Sequence, residues 1–108
     1  MNYRADYAVQ APERRDVDGQ AGWVLLEFGA PWCPHCINAQ PALQELLAMV
    51  PEVAHTKIED GRGKPLGRSF SVKLWPTLVL LRDGKELARV VRPRSPADLA
   101  PLREVLAG

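Results

Sequence analysis

The chain has 108 residues, 46% of them hydrophobic and 25% charged, with a formal net charge of +1 at pH 7. That length and balance suit one globular domain spanning 1–108, with a core sufficient without staples. So small a net charge predicts no strong overall field, and neither a nucleic-acid binder nor a collector of acidic substrates is indicated.

The N-terminal stretch from Met1 to Val17 carries charges throughout and has no apolar run of the kind a signal peptide needs. The residues before Gly22 are expected to add a short strand and a helix. "WVLLEF", Trp23 to Phe28, is a short apolar run ending at Gly29, as in a buried central strand, with Glu27 its odd member. From about Pro34 to Val50, apolar residues recur at helical spacing. Pro34 falls in the first turn, where a missing N–H is tolerated, and Pro41 inside the helix should kink it. "EVAHTKIE" (Glu52 to Glu59) alternates as a strand does, and "DGRGKPLGRSFSV" is glycine-rich and then short-helical.

"TLVLL" (Thr77 to Leu81) is another buried strand. "RDG" at Arg82 to Gly84 signals a tight turn into "KELARVV", giving a hairpin whose basic continuation "RVVRPR" reads as a charge-guarded edge. Ser95 is placed to N-cap a closing helix, "PADLAPLREVLA", with Pro96 at its first position and Leu99, Leu102 and Leu106 in one stripe. A βαβ unit followed by a hairpin and a helix predicts a three-layer α/β/α sandwich on a mixed sheet. No apolar run approaches the roughly 20 residues of a membrane span. A cytoplasmic protein without membrane or nucleic-acid partners is therefore expected.

The only two cysteines, Cys33 and Cys36, stand in "WCPHC". A disulfide stabilises chiefly by closing a long loop in the unfolded chain, and this one closes almost nothing. The value of the pair must be chemical, either as a redox device or as half of a metal site. A zinc site needs two further ligands, for which only His35 and His55 are available, and His35 is too close in sequence to complete a tetrahedron easily.

"GAPWCPHC" after a buried strand and opening a helix, Pro41 beyond it, "WPT" at Trp75 to Thr77, "LRDGKE" and "VAHTKIE" together resemble the thioredoxin family over Trp23 to Ala107. The resemblance implies a thioredoxin-like fold and a thiol–disulfide oxidoreductase that works on protein disulfides or dithiols. It also implies a monomer with no cofactor of its own, recycled by a reductase such as thioredoxin reductase. The competing reading is a redox-inactive binding or chaperone module on the same fold. Three departures bear on redox direction and partner choice: Pro-His between the cysteines instead of Gly-Pro, Glu27 instead of Asp, and Arg92 where the family usually carries glycine.

Residues three apart on a helix share a face, so Cys33 and Cys36 can join. Cys33 at the helix start, where unpaired N–H groups favour a thiolate, is expected to be the exposed nucleophile, and Cys36 the shielded resolving thiol. His35 is expected to offer the Cys33 sulfur a hydrogen bond or a charge. The resemblance places Glu27 beneath Cys36 as a proton shuttle, with Lys57 paired to it. It also makes Pro76 a cis proline facing the disulfide, with the backbone of Trp75 pairing with a substrate chain like an added strand. Trp32, Pro34, Trp75 and Pro76 form the expected docking surface.

Overall fold

The computed structural model describes residues 2–108. Chain order runs α1 (Arg14–Asp18), β1 (Trp23–Gly29), α2 (Pro34–Met49), β2 (Ala54–Glu59), α3 (Pro65–Ser69), β3 (Thr77–Arg82), β4 (Lys85–Val91), a 3₁₀ turn (Pro96–Leu99) and α4 (Ala100–Ala107). The strands form one sheet in the order β2-β1-β3-β4. β1 is parallel to β2 and antiparallel to β3, and β3 is antiparallel to β4.

The unbroken apolar run of β1 follows from its place: it is central and covered on both faces. On one face Leu25, Leu78 and Leu80 pack with Ala39, Leu43, Leu46 and Leu47 of α2 and with Leu99 and Leu102. On the other, Val24, Leu26, Phe28, Val79 and Leu81 pack with Val17 of α1, with Leu66 of α3 and with Phe70. These are the three layers of a thioredoxin-like α/β sandwich. β3 and β4 meet through Asp83 and Gly84, both at positive φ (51° and 81°), the conformation a two-residue hairpin turn of matching twist needs.

Three expectations change. The strand foreseen before Gly22 is absent from the described residues, although α1 is present. Residues 2–8 instead lie along β2, held largely by side chains. The Arg4 amide donates to His55 Nδ1 at 2.8 Å, Asn2 Nδ2 donates to the carbonyls of Val50 and Val53, and one backbone bond joins the Ala8 amide to the Lys57 carbonyl. The closing helix is divided, because Pro101 has no N–H to return to the carbonyl of Ala97 and the chain restarts as α4. Ser95 precedes the 3₁₀ turn without a side-chain cap. The remaining differences are at ends: β2 begins at Ala54 and α2 stops at Met49. Among the described residues, no helix is long and apolar enough to cross a membrane.

Candidate active site

The C-terminal end of β1 and the first turn of α2 bring the two cysteines together. Cys33 is the N-cap, in extended conformation, with Pro34 opening the helix behind it. Its sulfur accepts a hydrogen bond from the Cys36 amide at 3.4 Å, which uses one of the amides that a helix start leaves unpaired. Both thiols are free. Exposure does not separate them as expected, since Cys33 is 5% and Cys36 2% exposed. Protonation does. Burial pushes the Cys36 thiol up to about 12, its hydrogen-bonded neighbour Cys33 adds to this, and the Ala30 backbone opposes it. Gly29 makes room for that sulfur: a Cβ there would lie 2.6 Å from Cys36 Sγ and 3.2 Å from the Tyr7 hydroxyl.

Behind the thiols lies a closed polar cluster on the β1–β2 pair. The Glu27 side chain is fully buried, and so is that of His55. The backbone amide of Arg4 donates to His55 Nδ1, so the ring hydrogen belongs on Nε2, which donates to Glu27 Oε1 at 2.8 Å. Gln40 Nε2 donates to Glu27 Oε2 and to the Cys36 carbonyl, both at 2.8 Å. Gln40 Oε1 accepts from the Tyr3 hydroxyl at 2.6 Å and from Lys57 Nζ at 3.3 Å.

The expected Lys57–Glu27 pair is therefore replaced. The two residues are partners in the parallel register, yet His55, on the same face of β2, takes the carboxyl oxygen. Lys57 Nζ turns instead to the Ala5 carbonyl at 3.0 Å and over the Tyr7 ring at 4.7 Å. Tyr7, pushed up first by burial and then by the charge of Cys36, lines with Cys36, Gln40 and Lys57 a cavity of about 310 Å³.

His55, Gln40, Tyr3 and Tyr7 were not legible as site residues. Gln40 had one signal, a position four beyond Cys36 on the helix, and His55 another, two before Lys57 on a strand. As a metal ligand His55 is not available, since both its ring nitrogens are engaged. Among the described residues no cluster of three or more His, Cys, Asp or Glu side chains is arranged to hold a metal.

On the outer side, the Trp75–Pro76 peptide is cis. Trp75 packs against Cys33, Cys36 and Ala30, and its indole donates to Asp60 Oδ2 at 2.9 Å. Trp32 is 71% exposed and meets the Trp75 ring edge-on at 5.5 Å. His35 is exposed. Among the described residues its ring makes no hydrogen bond to the Cys33 sulfur, and it lines a concavity with Asn38, Arg92, Pro93 and Arg94.

Comparison with known proteins decides the family, since the thioredoxin family model matches residues 9–103. The chain belongs to the thioredoxin family. Thioredoxin of Chlamydia pneumoniae is 43% identical over 72 residues, which is 66% of this chain and 70% of that protein. Thioredoxin of Chlamydia muridarum is 35% identical over 76% of this chain and 80% of its own. The solved structure of thioredoxin 2 from Pseudomonas aeruginosa PAO1 in its reduced form is 54% identical, covers 98% of both chains and superposes with a TM-score of 0.85. Thioredoxin-family members are protein-disulfide oxidoreductases, and this chain is a thiol–disulfide oxidoreductase with its C-x-x-C pair at the expected site.

Proposed function

We propose that Cys33 is the nucleophile and Cys36 the resolving thiol. The observation that carries this is the asymmetry of the pair: the Cys33 sulfur faces a helix-start amide, while Cys36 is held as a thiol. The Cys33 thiolate attacks one sulfur of a substrate disulfide, and the other substrate sulfur leaves as a thiolate and takes a proton from water. Cys36 then gives up its proton and attacks Cys33. The Cys33–Cys36 bond forms as the mixed disulfide breaks, and the second substrate sulfur leaves and is protonated. The substrate gains two electrons and two protons, and the protein becomes the disulfide form.

Burial holds the Cys36 sulfur as a thiol, so the resolving step needs a proton acceptor. The cavity lined by Tyr7, Gln40 and Lys57 also borders Cys36 and is roomy enough for a water that takes the proton and passes it to solvent, while Glu27, behind Gln40, anchors the amide that caps the Cys36 carbonyl. In this reading Lys57 acts through Gln40 and Tyr7, and His35 belongs to the docking rim. Trp32, Pro34, Trp75 and Pro76 receive the substrate chain. The partners are protein disulfides and a recycling reductase of the thioredoxin reductase type. The protein works as one monomeric domain in the cytoplasm, without a resident cofactor.

The test is a reductase-coupled protein-disulfide assay, in which Cys33→Ser abolishes turnover and Cys36→Ala accumulates mixed disulfides with substrate proteins. Turnover that survives in Cys33→Ser overturns the assignment.

A further inference from the structure

Arg92 occupies a position that its own conformation does not favour. Its φ is +52°, in the left-handed region that suits glycine, and its amide donates to the Pro76 carbonyl at 2.8 Å. From there the side chain reaches back across the cis peptide, and Nε donates to the Trp75 carbonyl at 2.8 Å. Trp75 packs against the cluster of Ala30, Cys33 and Cys36, so this carbonyl belongs to a residue that flanks the cysteine pair. It is the kind of backbone acceptor that an extended chain lying against Cys33 would use.

Among the described residues, the remaining donors of that guanidinium make no hydrogen bond. The ion pairs among the described residues are Arg14–Asp18, Arg15–Glu13, His55–Glu27 and Arg89–Glu86, none of which includes Arg92 or Arg94. Both arginines are exposed, and with His35, Asn38 and Pro93 they line a concavity that begins one turn from Cys33 and contains no acidic side chain. The nearby carboxylate that does appear, Asp98, accepts from the Arg94 backbone amide. The net charge of +1 gives no strong long-range field, so charge selection at this concavity acts by contact.

We propose that Arg92, supported by Arg94, selects protein substrates that carry Asp or Glu beside the disulfide to be exchanged. This rests on the roles proposed above for Cys33 and Cys36. A guanidinium fixed through Nε still presents both terminal nitrogens in a fork that fits a carboxylate. An acidic substrate chain gains that fork as it docks, whereas a neutral chain gains nothing from it. Because the pair is exposed, the selection is modest and sensitive to salt.

The experiment compares two disulfide-linked peptides of one sequence, with Glu or Gln flanking the cysteine, by stopped-flow reaction with the full, reduced chain. The Glu peptide reacts about two- to fivefold faster at low ionic strength, and the ratio falls toward one at about 0.5 M salt. R92G brings the ratio to about one at any salt. Glycine suits the backbone there, so the variant folds. R92K, which keeps the charge but loses the fork, gives an intermediate ratio. K85Q, which removes the same charge at the far end of the hairpin, leaves it unchanged. Equal rates for the two peptides with the wild-type chain overturn the proposal, and so does a preference that survives in R92G. Exchange with a neutral small disulfide such as hydroxyethyl disulfide separates the two readings. Its absence in the wild-type chain overturns the cysteine roles, whereas its presence without a Glu preference overturns only the role of Arg92.

Discussion

Replacing His55 by leucine removes a donor from Glu27 and an acceptor from the Arg4 amide in one step. Water cannot readily substitute, because both side chains of the pair are fully buried. Leaving a buried polar group without its partner costs about 1–3 kcal/mol, and more where the group is charged. Gln40 still serves Glu27 Oε2, but Glu27 Oε1 and the Arg4 amide both lose a partner, so about 3 kcal/mol is expected. Urea unfolding of the reduced protein at pH 7 measures this. With a slope of about 1–3 kcal/mol/M the midpoint should fall by roughly 1–3 M. Adding Glu27→Leu to His55→Leu should then recover at least about 1 kcal/mol, since two apolar side chains replacing a buried pair are often neutral or better. A His55→Leu variant within about 0.5 kcal/mol of wild type would refute the reasoning, as would a double variant less stable than the single one.

Brief iodoacetamide treatment at neutral pH should label Cys33 and spare Cys36, whose thiol is held up near 12; peptide mapping reads the outcome. The same shift has a stability consequence of definite sign. The folded state holds the Cys36 proton more tightly than the unfolded chain does, so its contribution is complete below about 9 and is lost as pH rises toward 12. Urea midpoints of the reduced protein should fall over that window relative to those of the disulfide form, which has no such proton. Gly29→Ala should cost about 1–3 kcal/mol in denaturant unfolding and slow the resolving step, because its Cβ would press on Cys36 Sγ at 2.6 Å. A hydrogen bond from His35 to Cys33 would be worth roughly 30–60 mV in the potential of the pair. With that ring exposed and unbonded to the sulfur, His35→Pro should move a glutathione titration by less than about 30 mV.

The parts of this molecule that could be read in advance are those governed by local rules. Trp23 to Phe28 is apolar because the strand is covered twice, Asp83-Gly84 turns because both residues accept positive φ, and Pro34 opens a helix for want of an N–H. The C-x-x-C spacing on that helix pointed to redox chemistry by the same kind of rule. What escaped depends on where long side chains end up. The register puts Lys57 opposite Glu27, but no periodicity reveals that His55 reaches the carboxyl first. Residues 2–8 carry neither alternation nor a helical stripe, so nothing local marks Tyr3, Arg4 or Tyr7 as the lid of the acid cluster. The break at Pro101 was within reach: that proline cannot close the helix onto Ala97, and the expected helix ran through it.

The segment 2–8 is tied down mainly by side-chain hydrogen bonds and joins no ladder, so it belongs to the part of the structure that opens at less than the global cost of unfolding. Each opening withdraws the Arg4 amide from His55 and the Tyr3 hydroxyl from Gln40, and lets water approach Glu27. The acid's surroundings thus depend on how firmly this segment is held. The rate of the resolving step can then be tuned by substitutions at the start of the chain, with every residue of the C-x-x-C segment left as it is.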